Sequence, residues 1–324
     1  MSQRDVSSNF GDLEIVGIVP CYNEEVAVAK VIGDLKAAVP GIVVYVYDNN
    51  SSDDTARVAA EAGAIVRTEL RTGKGNVVRR AFADIDADVY LLIDGDDTYD
   101  ATAAPVMIET LISGPYDHVL GTRTDDPETS AYRPGHALGN RLFNRLTSNL
   151  FGEVVTDMLS GYRVFSRRFV KSFPALSREF EIETELTVHA ANLRIPQVEV
   201  AVGFKDRPEG SESKLRTYHD GFRILKLIAG LVQYERPLAL FSAIGSFLFL
   251  LAIIGGVPIL VTYADTHQVP RLPTVVLVTG MAIVGILSVV VGIVLNGVLH
   301  QRQEATRLAY LRYPPVARPD SSEA

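Results

Sequence analysis

An apolar run of strand length, residues 89–93, ends abruptly in four carboxylates within seven positions: Asp94, Asp96, Asp97 and Asp100. Such a run is typical of a strand buried on both faces of a parallel sheet, and ligands of open α/β sheets bind beyond the carboxyl ends of such strands. Asp94 and Asp96 are separated by one residue, so both can turn an oxygen toward one hard divalent cation, as Mg²⁺ sites require. The alternative is a solvated acidic turn.

The first part of the chain alternates between strand-like and helix-like segments. Besides the central run, the hydrophobic pattern predicts strands at 13–19, 43–47, 64–67, 118–121 and 198–204. It predicts helices at 26–39, 77–83 and 104–112, a helix that ends at residue 62, and a helix that follows the acidic stretch 179–185 and ends at residue 191. This alternation predicts an α/β fold with a mostly parallel sheet flanked by helices. Ser52 or Asp53 is the expected cap of the second helix.

Polar loops follow the predicted strands and are expected to lie together at one edge of the sheet. They cover residues 22–25, 48–53, 71–76 and 94–100. A nucleotide would bind at that edge. Lys74 lies between two glycines in one of these loops, but the spacing does not match a Walker A motif, which argues against a nucleoside-triphosphatase.

Composition excludes several classes of protein. The chain has 324 residues and a formal net charge of −8, which argues against a nucleic-acid partner because binding a phosphate backbone needs a basic face. The single cysteine, Cys21, excludes an internal disulfide and is expected to be a small core residue. Residues 1–12 are polar and lack the apolar core of a signal peptide, so a disordered N-terminus is expected.

The hydrophobic mass lies toward the C-terminus. Residues 237–263 and 272–299 are each long enough to cross a bilayer, which needs about 20 apolar residues. The preceding segment, 216–236, has an apolar face opposite Arg216, Arg223 and Lys226, which suits a helix lying on a membrane surface. The alternatives are a buried hairpin of a soluble protein and a linker helix packed on the soluble domain.

The distribution of arginine and lysine predicts the orientation of the chain. They collect before the first span and after the second, so the α/β domain and both termini are expected in the cytoplasm. The expected organisation is a disordered 1–12, an α/β domain at 13–213, a juxtamembrane amphipathic helix at 214–236, a transmembrane hairpin at 237–299 and a cytoplasmic tail at 300–324. The two spans are also suited to pairing with a second copy.

Taken together, these motifs resemble the family 2 glycosyltransferases of GT-A fold, in the branch that makes polyprenyl-phosphate sugars, such as dolichol-phosphate mannose synthase. Residues 19–25 match the family's opening P-x-Y-N-E-E, 48–55 its D-D-G-S-T-D-G-T turn, 74–75 its G-K-G loop and 94–96 its D-x-D metal motif. Residues 160–163 and 207–215 are similar to the branch motifs S-G-[FY]-R and R-x-x-G-x-S-K. Asn49 and Asn50 depart from the turn motif, and Thr98 stands where some relatives place a glutamine.

The resemblance implies inverting transfer of a sugar from a nucleotide-sugar to a membrane polyprenyl phosphate, for cell-envelope or glycoprotein glycosylation. A UDP-sugar is favoured and GDP-mannose is the other possibility. Asp94 and Asp96 would hold Mg²⁺ or Mn²⁺ against the donor diphosphate. The implied roles are, for the donor, Pro20, Tyr22, Glu24, Asp48, Lys74 and Asp94; for the acceptor phosphate, Arg123, Arg133, Ser213 and Lys214; and for catalysis, Asp96, Asp157 and Arg207.

Three other interpretations are weighed against this one. A processive polysaccharide synthase shares the sheet and the D-x-D motif, but that branch carries a Q-x-x-R-W motif and this chain contains no tryptophan. A transferase that acts on another glycan or lipid acceptor remains open, although a soluble acceptor would not require two spans. The last alternative is a non-catalytic membrane scaffold that retains the fold; the intact acidic and basic motif residues argue against it.

Overall fold

The computed structural model describes residues 10–125, 156–175, 182–205, 233, 236–269 and 271–316. The elements within them are, in chain order, β1 (Ile15–Cys21), α1 (Val28–Ala38), β2 (Val43–Asp48), α2 (Thr55–Glu61), β3 (Ile65–Thr68), α3 (Lys74–Asp84), β4 (Val89–Leu92), α4 (Ala104–Ser113), β5 (His118–Asp125), β6 (Arg163–Ser166), α5 (Arg167–Ser172), α6 (Ile182–Leu193), β7 (Gln197–Phe204), α7 (Pro237–Thr266) and α8 (Leu272–Tyr310). A short 3₁₀ turn precedes α4.

The strands form one sheet in the order β3-β2-β1-β4-β6-β5-β7. β6 runs antiparallel to β4 and β5, and the other pairings are parallel. The chain moves outward from β1 through β2 and β3 and then returns to place β4 on the other side of β1. Ligands bind at such a reversal of strand order, beyond the carboxyl ends of the strands. The mostly parallel α/β sheet predicted from the sequence is confirmed.

Apolar side chains on the two faces of the sheet form two cores. Val19, Val46 and Leu91 pack on one face with residues of α1 and α4. Ile18 and Tyr90 pack on the other face with residues of α3, α5 and α6. Successive strand side chains point to opposite faces, so each strand contributes to both cores. β4 is buried along its whole length, which accounts for the continuous apolar run in the sequence.

Helices α7 and α8 are long and apolar enough to cross a membrane. Their most apolar stretches have mean hydropathies of 2.5 and 2.6, and most of their leucine, isoleucine, valine and phenylalanine side chains are exposed. The chain divides into two compact units, one made of Met1–Arg216 together with Thr306–Ala324 and the other of Thr217–Ala305. The last turn of α8 therefore belongs to the unit that contains the sheet.

Several elements differ from the predicted bounds for identifiable reasons. α3 begins at Lys74, so the predicted loop at 71–76 is partly helix; Gly73 (φ +117°) makes the turn just before it. β5 continues to Asp125 because it pairs with β7 over its full length. α8 continues to Tyr310, so the helix is longer than the membrane span predicted at 272–299.

The predicted cap of α2 is wrong by one residue. The N-cap position is Asp54, and its side chain makes no capping hydrogen bond. Asp53, one residue earlier, accepts a hydrogen bond from the backbone N–H of Thr55 at 3.1 Å. It therefore provides a partner for one of the free N–H groups at the start of the helix. Cys21 is buried, as expected for a core residue.

Candidate active site

The predicted donor-binding residues gather at the carboxyl edge of the sheet, where β1, β2 and β4 end. Cys21 and Asp48, the last residues of β1 and β2, are paired in register, and the N–H of Ile93 donates to the carbonyl oxygen of Ile18 at 3.1 Å. The residues concerned are Pro20 near the end of β1, Tyr22 and Glu24 after it, Asp48 at the end of β2, and Asp94 and Asp96 after β4. Because the order of strands reverses between β1 and β4, this edge is a crevice suited to a ligand.

The buried thiol of Cys21 lies within the field of four of these carboxylates. Burial raises its pKa well above the ordinary value, and the charges of Glu24, Asp48, Asp94 and Asp96 raise it further. The four acids therefore lie around one point of the sheet edge. Four carboxylates gathered at one edge of the sheet favour a bound cation.

The loop after β4 is held by its own side chains. Asp96 accepts hydrogen bonds from the backbone N–H of Thr98 at 3.2 Å and from its hydroxyl at 2.6 Å. Asp97 has a positive φ of 56° and accepts from the ammonium groups of Lys30 at 3.2 Å and Lys205 at 2.8 Å. These contacts hold the loop from within, from α1 and from the residue after β7, so the direction of the Asp96 carboxylate is constrained before any ligand binds.

The donor set fits a magnesium or manganese ion that shares its coordination with a substrate. Asp94 keeps 28% of its side chain exposed, whereas Asp96 is 6% exposed. Within the described ranges no group of three or more histidine, cysteine, aspartate or glutamate side chains forms a complete metal cage. Mg²⁺ is usually held by one or two carboxylates and completes its shell with water and substrate phosphate oxygens. Two carboxylates at an open crevice match that requirement.

Lys74 lies between two carboxylates from different elements. Its ammonium group is in direct contact with Asp94, and it also lies 2.7 Å from the carboxylate of Glu183 in the first turn of α6. Burial disfavours the charge on Lys74, but attraction to the two acids outweighs burial and raises the pKa of Lys74. Burial raises the pKa of Glu183, against the opposing effect of the lysine. Lys74 therefore stays charged in this site at neutral pH.

The loop that enters β6 closes over this ion pair. A β-carbon built at Gly161 would lie 2.8 Å from the Lys74 ammonium nitrogen and would collide with Asp94. The backbone N–H of Gly161 donates to the hydroxyl of Tyr99 at 2.9 Å. Burial raises the pKa of Tyr99 to about 12, so this hydroxyl stays neutral.

Arg163 holds the same loop from beneath and is fully buried. Its guanidinium donates to the carbonyl oxygens of Met158 at 2.6 Å and Ser160 at 2.9 Å and to the hydroxyl of Thr187 at 2.9 Å. Burial lowers the pKa of Arg163 to about 10, which still leaves it charged at neutral pH. The arginine of the S-G-Y-R motif therefore organises the loop.

Asp157 and Arg123 form a bidentate ion pair beside this loop. Two of the three guanidinium nitrogens of Arg123, Nη2 and Nε, donate to the two carboxylate oxygens of Asp157 at 2.6 and 2.7 Å, and the guanidinium also covers the ring of Phe204 at 5.3 Å. The sequence assigned these two residues separate roles, one with the acceptor phosphate and one in catalysis. The structure places them together. Arg133, Arg207, Ser213 and Lys214 lie outside the described residues, as does most of the predicted amphipathic helix 216–236.

Comparison with known proteins gives the family. Residues 18–173 match the model of glycosyl transferase family 2. Glycosyltransferase AglJ of Haloferax volcanii is 37% identical over 230 residues, which cover 70% of this chain and 75% of that protein. The chain belongs to glycosyl transferase family 2. This glycosyltransferase is also 30% identical over 227 residues to a protein named dolichyl-phosphate hexose transferase from the same organism, covering 70% of this chain and 96% of the relative.

The fold of this family 2 glycosyltransferase agrees with solved structures. Glucosyl-3-phosphoglycerate synthase of Mycobacterium tuberculosis, in a complex with uridine diphosphate, superimposes with a TM-score of 0.56 at 22% identity and covers 68% of this chain and 80% of its own. The GT-A fold expected from the sequence is thereby confirmed.

Sequence reasoning about this glycosyltransferase missed one contact and misjudged one residue. Glu183 belongs to the acidic group 181–185, which the sequence suggested would face the sugar or order an arginine, with a plain helix start as the alternative. Its contact is with a lysine, Lys74, and joins segments far apart in the chain. Asn49 counted only as a departure from the family turn, yet its amide donates to the carbonyl oxygens of Glu69 and Arg71 at 2.8 Å each and accepts from the N–H of Gly73 at 2.7 Å. The signal in the sequence was the replacement of the family's aspartate by asparagine, because an asparagine amide can donate to carbonyl oxygens and a carboxylate cannot.

Proposed function

We propose that this enzyme transfers a hexosyl or N-acetylhexosaminyl unit from a nucleotide-sugar to a membrane polyprenyl phosphate, with inversion at the anomeric carbon. A UDP-sugar is the favoured donor and GDP-mannose the second candidate. The observation that carries the proposal is the position of Asp94, paired with Lys74, and of Asp96 at the reversal of strand order, in a chain that also has two helices apolar enough to enter a membrane.

The donor would bind with its nucleoside toward β1 and β2 and its diphosphate toward Asp94, Asp96 and Lys74. Tyr22 is 45% exposed, so its ring is accessible to a base, whereas Glu24 and Asp48 are mostly buried. Asp94 and Asp96 would hold Mg²⁺ or Mn²⁺, which supplies Lewis-acid stabilisation of the leaving diphosphate when bound. Lys74 would add a point charge beside the same diphosphate, because a lysine ammonium binds phosphate in this way.

The acceptor is an anion at neutral pH, so its attack on the anomeric carbon needs no strong general base. The work of the site is to bring two mutually repelling substrates together and to stabilise the departing diphosphate. Arg123, held by Asp157 and the ring of Phe204, is preorganised for an incoming phosphate. Arg133, Arg207, Ser213 and Lys214 are proposed to bind the acceptor phosphate with it, Arg207 acting closest to the reacting atoms.

The name of the Haloferax relative supports a dolichyl phosphate as the kind of acceptor and a hexose as the kind of sugar. An acceptor of this class keeps its hydrocarbon tail in the bilayer and its phosphate at the surface. Helices α7 and α8 would anchor the enzyme in the same bilayer, with the catalytic domain and both termini in the cytoplasm. Two isolated spans are also suited to association with a second copy.

The decisive experiment measures release of nucleoside diphosphate from a panel of UDP- and GDP-sugars, with Mg²⁺ or Mn²⁺, in the presence and absence of a polyprenyl phosphate. Release from one donor that depends on the lipid supports the proposal and identifies the sugar. Release that is indifferent to the lipid contradicts the acceptor assignment. Asp96→Asn is the matched variant: it keeps the size of the side chain and is expected to lower turnover by at least about 100-fold, in line with the loss of one electrostatic group of the transition state.

A further inference from the structure

We propose that Glu183 is a positioning residue that holds Lys74 at the active site when the divalent cation takes over Asp94. The inference deepens the proposed function and rests on its assignment of Asp94 to the metal. In this scheme Lys74 is the resident cation of the site: it neutralises Asp94 in the metal-free enzyme and turns to the donor diphosphate once the metal binds. Glu183 is the partner that it keeps throughout.

The contacts of Lys74 indicate different roles for its two carboxylate partners. Its ammonium group touches Asp94, which is 28% exposed on the crevice side, and Glu183, which is 5% exposed and belongs to the core side of α6. The exposed acid is the one that a ligand can reach. The buried acid holds Lys74 on the side away from solvent.

Electrostatics disfavours the simultaneous use of Asp94 by Lys74 and by a metal ion. An ammonium group and a divalent cation on one carboxylate would repel each other across a few ångströms in a partly desolvated site. Without a second anion Lys74 would have to leave the site or keep Asp94 from the metal. Glu183 removes that conflict, because the ammonium retains one full negative charge when Asp94 turns away.

Glu183 also has unused capacity for the lysine. Only one of its carboxylate oxygens contacts Lys74, and the other, Oε2, is buried with no hydrogen-bond partner within the described residues. A buried carboxylate oxygen without a donor is costly, and a lysine ammonium carries three N–H donors. When the bond to Asp94 breaks, the freed N–H of Lys74 can be redirected to this oxygen.

The room around the pair is restricted on its third side. Gly161 has no side chain where a β-carbon would meet both Asp94 and the Lys74 nitrogen. The loop therefore confines the ammonium between the two acids without contributing a charge of its own. Exchange of partners by Lys74 is then a short displacement, in which Glu183 holds the ammonium group while it turns from Asp94 toward the donor diphosphate.

The test is a titration of the full-length enzyme in detergent with Mn²⁺, following the electron paramagnetic resonance signal of the free ion, with and without UDP. Glu183→Gln removes the charge that retains Lys74, so Lys74 competes harder for Asp94 and Mn²⁺ binding is expected to weaken about tenfold, as for loss of an outer-shell partner of a metal ligand. Glu183→Asp keeps the charge on a shorter side chain, and its Mn²⁺ affinity is expected to lie between those of the wild type and Glu183→Gln. Glu185→Gln removes the same charge from the same helix and is expected to match the wild type.

A double-mutant cycle with Lys74→Met separates action through the lysine from a structural role. If Glu183 acts through Lys74, Glu183→Gln has little further effect on Mn²⁺ binding once the lysine is gone. An equal loss in both backgrounds overturns the inference. Thermal unfolding followed by circular dichroism is measured on every variant, and if Glu183→Gln does not fold, wild-type Mn²⁺ affinity in Glu183→Asp overturns the inference instead.

The remaining outcomes separate this inference from the proposed function. A wild-type enzyme that binds Mn²⁺ and a folded Glu183→Gln variant that binds it equally well overturn the role of Glu183 alone. A wild-type enzyme that binds no Mn²⁺, even with UDP present, overturns both the metal assignment and the inference that rests on it.

Discussion

Glycines determine how closely the charged groups of the site approach one another. A β-carbon at Gly95 would lie 2.5 Å from the sulfur of Cys21, so the D-x-D loop can lie against the end of β1 only because this position has no side chain. Gly161 likewise has no side chain, which leaves room for the ion pair of Lys74 and Asp94 against the loop that enters β6. At both positions the absence of a side chain lets neighbouring groups pack closely, so the carboxylates of the site can lie near one ligand.

Gly161→Ala should therefore disable the site while leaving the fold in place. The added methyl group has to displace Lys74 and Asp94, since the backbone below it is held by Tyr99 and Arg163. Displacement of catalytic groups by about 1 Å can lower turnover by about 100-fold. The measurement is kcat for nucleoside-diphosphate release, with thermal unfolding as the check on folding.

Gly33→Ala is the matched control for this substitution. Gly33 lies in α1 with nothing within 4 Å of a built β-carbon, and alanine is a better helix former than glycine. We expect unchanged turnover and a melting temperature equal to or slightly above that of the wild type. A fall in kcat for Gly33→Ala as large as that for Gly161→Ala would contradict the steric explanation.

Single residues also show how far sequence reasoning reaches in this site. Asp94 and Asp96 were predictable because both follow one strand, so their proximity is set by local spacing. The contact of Lys74 with Glu183 was not predictable, because it depends on how α3 and α6 pack on the same face of the sheet. Arg163 was visible as part of a motif, but its burial and its hydrogen bonds to Met158, Ser160 and Thr187 follow only from the fold.

At the scale of elements, the last turn of α8 is fixed to the sheet through Asp117, just before β5. This buried carboxylate accepts hydrogen bonds from Ser166 at 2.6 Å, from Arg168 at 2.5 and 2.7 Å and from the hydroxyl of Tyr310 at 2.8 Å. The guanidinium of Arg168 also covers the Tyr310 ring at 4.7 Å. Arg307 donates to the carbonyl oxygen of Leu193, at the end of α6, at 2.8 Å.

Tyr310→Phe should lower stability without lowering turnover at 25 °C. The ring remains, but Asp117 loses one donor, and a hydrogen bond to a charged group contributes about 1.5–3 kcal/mol. The amino end of β5 lies at the edge of the sheet opposite the candidate site, so kcat should be close to that of the wild type. Thermal unfolding followed by circular dichroism and kcat are both measured.

Tyr313→Phe provides the comparison for the tyrosine hydroxyl. Its ring lies under the guanidinium of Arg167 at 5.5 Å, and the substitution keeps that ring. We expect a smaller loss of stability than for Tyr310→Phe. Equal stability of the two variants would show that the bond to Asp117 contributes nothing measurable.

The elements themselves were predictable where the hydrophobic pattern is local. The alternation of strands and helices gave the first four strands within a few residues of their observed bounds. The prediction was too short where the partner comes from elsewhere in the chain: β5 extends to Asp125 because β7 pairs with all of it. The antiparallel insertion of β6 between β4 and β5 left no signal in the sequence, because strand direction depends on the path of the chain around it.

For the whole molecule, the two compact units predict that membrane anchorage and stability of the sheet can be separated. A chain truncated after Ala305 keeps almost all of both apolar helices but loses Tyr310 and the contacts of Arg307. We expect it to remain in the membrane fraction after an alkaline carbonate wash, while its catalytic unit unfolds at a lower temperature than that of Tyr310→Phe. Release of the truncated chain by carbonate would contradict anchorage by α7 and α8.

The discontinuity of the catalytic unit has a consequence for the order of events during synthesis. A ribosome makes residues 1–216 first, then both apolar helices, and only then the segment from residue 306 that supplies Tyr310. The nascent enzyme therefore lacks part of one core until residue 310 has been made, and both apolar helices leave the ribosome before that core closes. Full stability of the sheet is reached only after the two apolar helices have been synthesised.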